Sequence, residues 1–333
     1  MDTLQPTIPK SQRQVLYTGS VKTTYDAGNG LMGLVHNDTW SAYDRGRSKQ
    51  LVPRMGRSVM RSTIASARLA HAIGIPTHFV CQEDDETILV RRYDTPKDRP
   101  LLLDEVDVMI RLEFIRRKIV SGRRAREYAN GTRKPTQDGF PTDDVVPDGT
   151  PFPCPTHEVT TKWEKEDLQI HAIERILSYA GITADEWERA WVLVDTLSGA
   201  LDLAAQAAGF TRLDGKMELA VVGPKGPGVK RKLVVIDGFG TQNEDRFSPT
   251  ATLKPGLVDH WSKEWMRQLL IRKGFKRALD EARAKAWELP DYPILTDEEV
   301  AEIARRYSEF ADAYEKAVDR ILGPISGGFA QFS

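Results

Sequence analysis

Residues 213–219 read Leu213-Asp214-Gly215-Lys216-Met217-Glu218-Leu219. Successive side chains of a strand point to opposite faces, so Asp214, Lys216 and Glu218 share one face. An acid, a base and an acid in a row are unusual so close to an apolar run, here Ala220-Val221-Val222. The spacing predicts a strand over 216–222 paired with a strand over 233–236. That pairing brings Asp237 near Glu218. Two carboxylates on neighbouring strands suit Mg²⁺, which takes carboxylate and phosphate oxygens. A cross-strand set of salt bridges is the plainer reading of the same residues.

Towards the amino end, residues 15–35 hold two short runs around Asp26-Ala27-Gly28-Asn29-Gly30, a hairpin signal. Within the first run, Gly19-Ser20-Val21-Lys22 is a glycine turn with a lysine beside it. Such a turn can lay backbone N–H groups and one cation along a polyphosphate. It lacks the Walker spacing, and an ordinary hairpin with an exposed lysine fits it as well. Apolar residues at helical spacing predict a helix over 57–72, ended by Gly74-Ile75-Pro76. Strands are expected at 77–80 and 87–93. Residues 1–95 therefore read as a β-rich lobe and 96–333 as a larger α+β lobe. In the larger lobe, 101–120 suits strands buried inside a sheet, and 167–180 and 184–208 are helical by period. The stretch 262–322 is helical with one break, after which Thr296 and the acids behind it form a helix start. Residues 130–155 are rich in Pro, Gly, Asp and Thr. So long a loop is usually functional, and it is expected to close over a substrate.

Two more places carry charge beyond what their context needs. Asp38-Thr39-Trp40-Ser41-Ala42-Tyr43-Asp44 brackets an aromatic with acids and a serine, suited to a sugar hydroxyl, a metal-bound water or a capped turn. Arg116, Arg117, Arg123, Arg124 and Arg126 crowd around Ser121-Gly122. Guanidinium forks match phosphate oxygens in pairs; a solvated basic face is the alternative.

Bulk composition narrows the classes. The chain has 333 residues, 40% of them apolar and 29% charged, enough for a sizeable core. Lys plus Arg is 47 against 48 for Asp plus Glu, so the basic excess of a nucleic-acid binder is missing. The two cysteines, Cys81 and Cys154, have no ligand spacing around them. The six histidines form no metal motif, and no serine or cysteine sits in a nucleophile elbow. The first residues are polar and no apolar run approaches a membrane span, so a cytoplasmic setting is expected and a membrane partner is not. Oligomeric state stays open, a homo-oligomer included.

Taken in order, the pieces resemble the SAICAR synthetase (phosphoribosylaminoimidazole succinocarboxamide synthase) family over nearly the whole chain. Leu16–Tyr25, LYTGSVKTTY, is similar to that family's opening LYxGKxRxxY hairpin. NDTWSAYD resembles its DRxSAFD segment, RLEFIRRKIVSG its EVVVRxYxxGS segment, and TTKWE at 160–164 its STKxE turn. LDGKMEL resembles its DxKFEFG strand and VVIDGFGTQNEDRF its LxDExxTPDSSRF segment. SKEWMRQLL and LTDEEVAEIARRYSEFADAYEKAV match its closing helices in pattern.

The resemblance implies a two-lobed α+β fold with ATP in the cleft between a small antiparallel lobe and a larger sheet-and-helix lobe. It implies an ATP-dependent carboxylate–amine ligase: a carboxylate on an imidazole ribonucleotide becomes an acyl phosphate and is joined to an amine, L-aspartate in purine biosynthesis. Gly19, Ser20 and Lys22 would lie along the ATP phosphates, with Arg91 and Arg92 at the adenine hinge. Glu218 and Asp237 would hold Mg²⁺. Lys216 and Asp214 would face the reacting carboxylate. Arg117 and Arg246 would grip the 5′-phosphate beside Ser121, Gly122 and Arg123, and Asp38, Ser41 and Asp44 would border the ribose and amine end. The sequence also departs from the pattern. Ser20 replaces a lysine, Arg123 a serine, Gly238 an acid, and Lys165-Glu166-Asp167 stand where the family has HDEN. Because these departures lie mostly on the substrate side, two alternatives stay open: a specialised relative in nucleoside-antibiotic assembly, of the pentostatin or formycin type, and a nucleotide-binding protein without catalysis.

Overall fold

A computed structural model describes residues 4–164, 168–224, 226 and 230–323. Lys165-Glu166-Asp167 and part of the 223–232 loop lie outside the described residues.

The amino-terminal segment forms β1 (Val15–Thr18), β2 (Lys22–Gly28), β3 (Leu31–His36), α1 (Met55–Ala72), β4 (Phe79–Gln82) and β5 (Thr87–Arg91). The strands make an antiparallel sheet in the order β1-β2-β3-β5-β4. The expected hairpin is β2–β3, turned at Gly28, Asn29 and Gly30, all with φ between 54° and 72°. Two of these are glycines, which adopt that region without strain. The turn read at Gly19-Ser20-Val21-Lys22 joins β1 to β2. They separate at Gly19, whose N–H donates to the Lys22 carbonyl at 2.8 Å.

The second sheet is built from β6 (Val108–Ile119), β7 (Pro151–Thr161), β8 (Gln169–Ile170), β9 (Phe210–Val222), β10 (Lys232–Ile236) and β11 (Arg246–Pro249). Its order is β10-β9-β6-β7-β8, with β11 also on β9. Where several strands are expected over 101–120, one long strand forms. Helix α2 (Arg123–Ala129) follows it, and α3 (Ile173–Ala180) starts later than expected because Gln169 and Ile170 pair with β7. Helices α4 (Ala184–Ala207), α5 (Lys263–Arg272), α6 (Phe275–Ala284) and α7 (Asp297–Leu322) complete the lobe. Thr296 caps α7 with a reciprocal Glu299 bond, the pairing its sequence signals. No helix among the described residues is long and apolar enough to cross a membrane.

The two sheets meet where His78 N–H donates to the Val235 carbonyl at 2.9 Å and Val235 N–H to the Pro76 carbonyl at 3.0 Å. One apolar cluster runs from Leu34, Met60 and Ile88 of the first segment to Phe114, Leu219 and Tyr314 of the second. Arg61 and Arg68 of α1 pair with Asp312, Glu315 and Asp319 of α7. This shared core fixes the cleft between the sheets.

Residues 130–155, read as a loop that closes over a substrate, are anchored in this structure. Asp138 in their midst is gripped by Arg124, Arg133 and Tyr128. Phe140, Val146 and Phe152 pack with Val120 and Tyr128 in a small apolar cluster. A loop with its own core is an ordered element despite its composition.

Helix α1 begins two residues before its predicted start because Asp38 holds it there. The Asp38 carboxylate accepts from Gly56 N–H at 2.8 Å and Arg54 N–H at 3.0 Å. Loss of such a cap costs about 0.5–2 kcal/mol. Asp38→Ala is therefore expected to lower the unfolding free energy by that amount, seen as a lower urea midpoint at unchanged slope; an unchanged midpoint would show that the carboxylate is not a cap.

Candidate active site

Two cavities share a wall. The first, about 640 Å³, opens between the sheets and is lined by Gly19, Ser20, Lys22, Arg91, Glu218 and Asp237 among others. The second, about 500 Å³, lies behind it and is lined by Asp44, Arg117, Arg123, Asp214, Lys216 and Arg246 among others. Lys162 lines both, with Glu218 on the first side and Lys216 on the second.

Strand register explains the charge at this wall. Glu218 lies opposite Ile236 on β10, so Asp237 emerges at its side, with φ of 61°. On the other flank, Glu113 of β6 lies directly opposite Glu218. Like charges in that register repel, and three lysines relieve them. Lys216 Nζ is 2.8 Å from Glu113, 3.2 Å from Glu218 and 3.1 Å from Glu244. Lys162 pairs with Glu218. Lys22 pairs with Asp237 and lies 3.7 Å from Glu244.

Burial and pairing compete at each of these groups. Burial works against the Lys216 ammonium, but Glu244, Glu113 and Glu218 outweigh it and raise it well above its ordinary value. Lys22 is raised in the same way, burial being overcome by Asp237 and Glu244. Burial lifts the Glu218 carboxyl, and Lys162 and Lys216 only partly offset that. Asp237 goes the other way: Lys22, Lys162 and Lys216 overcome burial and hold it far below the usual carboxylate range. His36 and His78 behind the cluster are pushed down to about 3 and about 4, chiefly by burial, and stay neutral.

Glu218 from within β9 and Asp237 just past the end of β10 present hard oxygen donors to the first cavity. Among the described residues no group of three His, Cys, Asp or Glu is placed to hold a metal. That donor set still fits Mg²⁺, which is commonly held by one or two carboxylates while phosphates and water supply the remaining oxygens.

The second cavity continues the β9 face. Asp214 accepts from Arg117 and from Arg246, each at 2.6 Å. Arg117 is shared with Glu158 at 3.0 Å, and Arg246 with Glu264 at 3.2 Å. The structure thus joins Arg117 and Arg246, as their expected common ligand requires, and it does so through Asp214. Asp214 is expected from the sequence beside Lys216 at a reacting carboxylate; here it is committed to two guanidinium groups one alternate position along the strand. Gly122 has φ of 58°, and a Cβ there would lie 2.6 Å from the Arg246 guanidinium. Arg123 lines the cavity and pairs with Glu127 at 2.7 Å. Ser121 is buried with its hydroxyl unpartnered, and Ser41 is buried; neither is among the residues lining the two cavities, nor is Asp38.

Several lining residues escape the sequence reading. Glu113 lies inside a strand whose apolar character dominates, and Glu158 inside β7, for which no strand was read. Lys162 is part of TTKWE, so its signal was present but unassigned. Glu244 falls in a segment notable mainly for its departures. Lys263, first residue of α5, lines the second cavity with no ion pair among the described residues; burial and the nearby Arg267 push its ammonium down to about 8.

A family model described as SAICAR synthetase matches residues 15–282. The chain is 30% identical over 311 residues to the phosphoribosylaminoimidazole-succinocarboxamide synthase of Thermoplasma acidophilum, covering 93% of this chain and 99% of that one. The Saccharomyces cerevisiae SAICAR synthase complexed with SAICAR superposes with a TM-score of 0.67 at 17% identity, over 94% of this chain and 98% of that one. A SAICAR synthetase in complex with ADP gives 0.58 at 18% identity, over 95% and 100%. At those identities the two structures establish a common fold.

A partly buried, unpaired ammonium costs stability while it is charged. Lys263 has a folded value near 8, against ~10.4 in an unfolded chain. Between those values the unfolded chain binds more protons, so this residue makes stability rise with pH across that window. Lys263→Met is expected to raise the denaturation midpoint at pH 7, with an advantage that shrinks between pH 8 and 10. An advantage that stays constant over that range would overturn the assignment.

Proposed function

The chain belongs to the SAICAR synthetase family, and from that premise we propose that it is an ATP-dependent ligase joining the carboxylate of an imidazole ribonucleotide to L-aspartate, as in purine biosynthesis. The observation that carries this reading is the shared wall. A phosphoryl donor in the first cavity and a carboxylate in the second would meet at Lys162, Lys216 and Glu218.

In this reading the residues up to about 95 and the sheet edge at Asp237 cradle ATP. Backbone N–H groups at the Gly19 turn and the Lys22 ammonium lie along its phosphates. Glu218 and Asp237 hold Mg²⁺, which neutralises phosphate charge when bound. Arg117, Arg123 and Arg246 orient the ribonucleotide through its phosphate, and Asp44 borders the amine end. Lys216 and Lys162 lie beside the γ-phosphoryl group as it passes to the substrate carboxylate. The bond from the γ-phosphorus to the bridging oxygen breaks, ADP leaves, and an acyl phosphate forms. The aspartate amine, as the free base, then attacks the acyl carbon and loses one proton, and inorganic phosphate departs with the C–O bond electrons. Neither step needs an enzyme nucleophile; fixed charge and position lower the barriers.

The relatives named above carry the succinocarboxamide synthase name, and none of those names points to nucleoside-antibiotic assembly. The density of paired charge at the wall also disfavours a role limited to nucleotide binding, because buried charges are costly to keep without use.

Purified protein with ATP, Mg²⁺, carboxyaminoimidazole ribonucleotide and L-aspartate is expected to release ADP, phosphate and the succinocarboxamide, identified by mass. Absence of that product with ADP still bound would overturn the substrate assignment. Glu218→Gln keeps size and is expected to cut turnover by ~100-fold or more with the unfolding midpoint largely kept. Full activity in that variant would remove Glu218 from the metal site.

A further inference from the structure

Three lysines line the first cavity, and they are not held alike. Lys22 and Lys162 are tied to Asp237 and Glu218. Lys97, in the connection between β5 and β6, has no carboxylate within salt-bridge distance among the described residues. Its ammonium lies over aromatic faces instead, 4.6 Å from the Trp163 ring centre and 5.8 Å from that of Tyr17. Both rings line the cleft and both are open to solvent, Tyr17 at 60% and Trp163 at 37% exposure.

These rings come from opposite walls. Tyr17 is on β1 and lies against the glycine turn, its Cε1 3.0 Å from where a Cβ on Gly19 would stand. Trp163 follows Lys162, whose ammonium is 5.3 Å from the same indole ring. Lys97 therefore spans the cleft mouth between the Gly19 turn and the Lys162–Glu218 pair. Trp163 also has φ of 80°, a conformation that a bulky side chain adopts only under constraint. A ring held in that way at a cleft mouth has been placed rather than left over.

Charge balance gives the lysine a task. Lys22 and Lys162 are each matched by an acid, so a polyphosphate entering the cleft brings negative charge that these pairs do not cover. A cation on an aromatic face is held less firmly than one bonded to phosphate oxygens. We propose that Lys97 is a ligand for the nucleotide polyphosphate, parked on Trp163 and Tyr17 until the nucleotide draws it into the cleft. The proposal rests on the reading of this cleft as the ATP site and adds a ligand from the inter-lobe connection.

The test uses the full chain, with ADP and adenosine as probes in calorimetric titrations. Lys97→Met is expected to weaken ADP roughly tenfold and to leave adenosine unchanged, while Lys97→Arg restores most of the loss. ADP is expected to change the tryptophan fluorescence of the parent, and Trp163→Phe to remove most of that change. Unchanged ADP affinity in Lys97→Met would overturn the proposal, as would an equal loss for adenosine, which would make Lys97 part of the base pocket or of a simple gate. Lys22→Met separates the two levels: if it leaves ADP affinity intact, the location of the nucleotide is wrong; if it weakens ADP while Lys97→Met does not, only the role of Lys97 falls.

Discussion

The Lys216 ammonium is the point on which the two lobes and the cleft converge. It is bonded to Glu113 from β6, Glu218 from its own strand, and Glu244 from the loop after β10. Glu244 reaches in turn to Lys22 on the small sheet. None of these charges can be buried alone, since an isolated ion in the interior costs several kcal/mol even after relaxation. Each is tolerable only with the others in place. The wall between the cavities is therefore a cooperative unit, assembled when both sheets are assembled. Its groups are also replaceable in kind: a phosphate can take the place of a carboxylate at a lysine, and a metal ion the place of a lysine at a carboxylate.

A second layer of charge behind it explains the rigidity of the far cavity. Asp214 joins Arg117 to Arg246; Glu158 joins Arg117 to Arg124; Asp138 joins Arg124 to Arg133. The chain of pairs leads from the cavity into the 130–155 segment and pins it. Arginine suits such a layer because its fork engages two carboxylates at once without losing its charge. The position of that segment is thereby coupled to the orientation of Arg117.

How much of this could be read in advance follows from the range of each interaction. The alternation Asp214, Lys216, Glu218 is local, and it places Lys216 and Glu218 in contact on one face as read. Thr296 with Glu299 is equally local and forms the expected helix start. The glycine turn between β1 and β2 is local too, and it forms where it was read. What the sequence hides is long-range pairing. Asp38 reads as a site residue because its role depends on backbone N–H groups sixteen to eighteen positions away. The 130–155 composition reads as a loose loop because two of the three groups that fix Asp138, Arg124 and Tyr128, belong to α2. The role of Glu244 depends on two lysines more than two hundred and nearly thirty positions away, and nothing near it announces either.

The departures from the family pattern take on a physical sense in the same terms. Gly238 stands where the family carries an acid next to Asp237. A Cβ at that position would lie 3.6 Å from Glu244 Cγ and 3.9 Å from Lys22 Nζ. An acidic side chain there would enter the space that the Glu244 side chain now fills, beside the same lysine. With glycine at 238, the carboxylate beside Lys22 on that side comes from 244. The phosphate turn shows a looser parallel. Ser20 lacks the family's lysine, and Arg47 donates to the Gly19 carbonyl at 2.6 Å, which puts a cation against that turn from a different segment. A site of this kind is constrained by the sum and placement of its charges more than by the residue that bears each one.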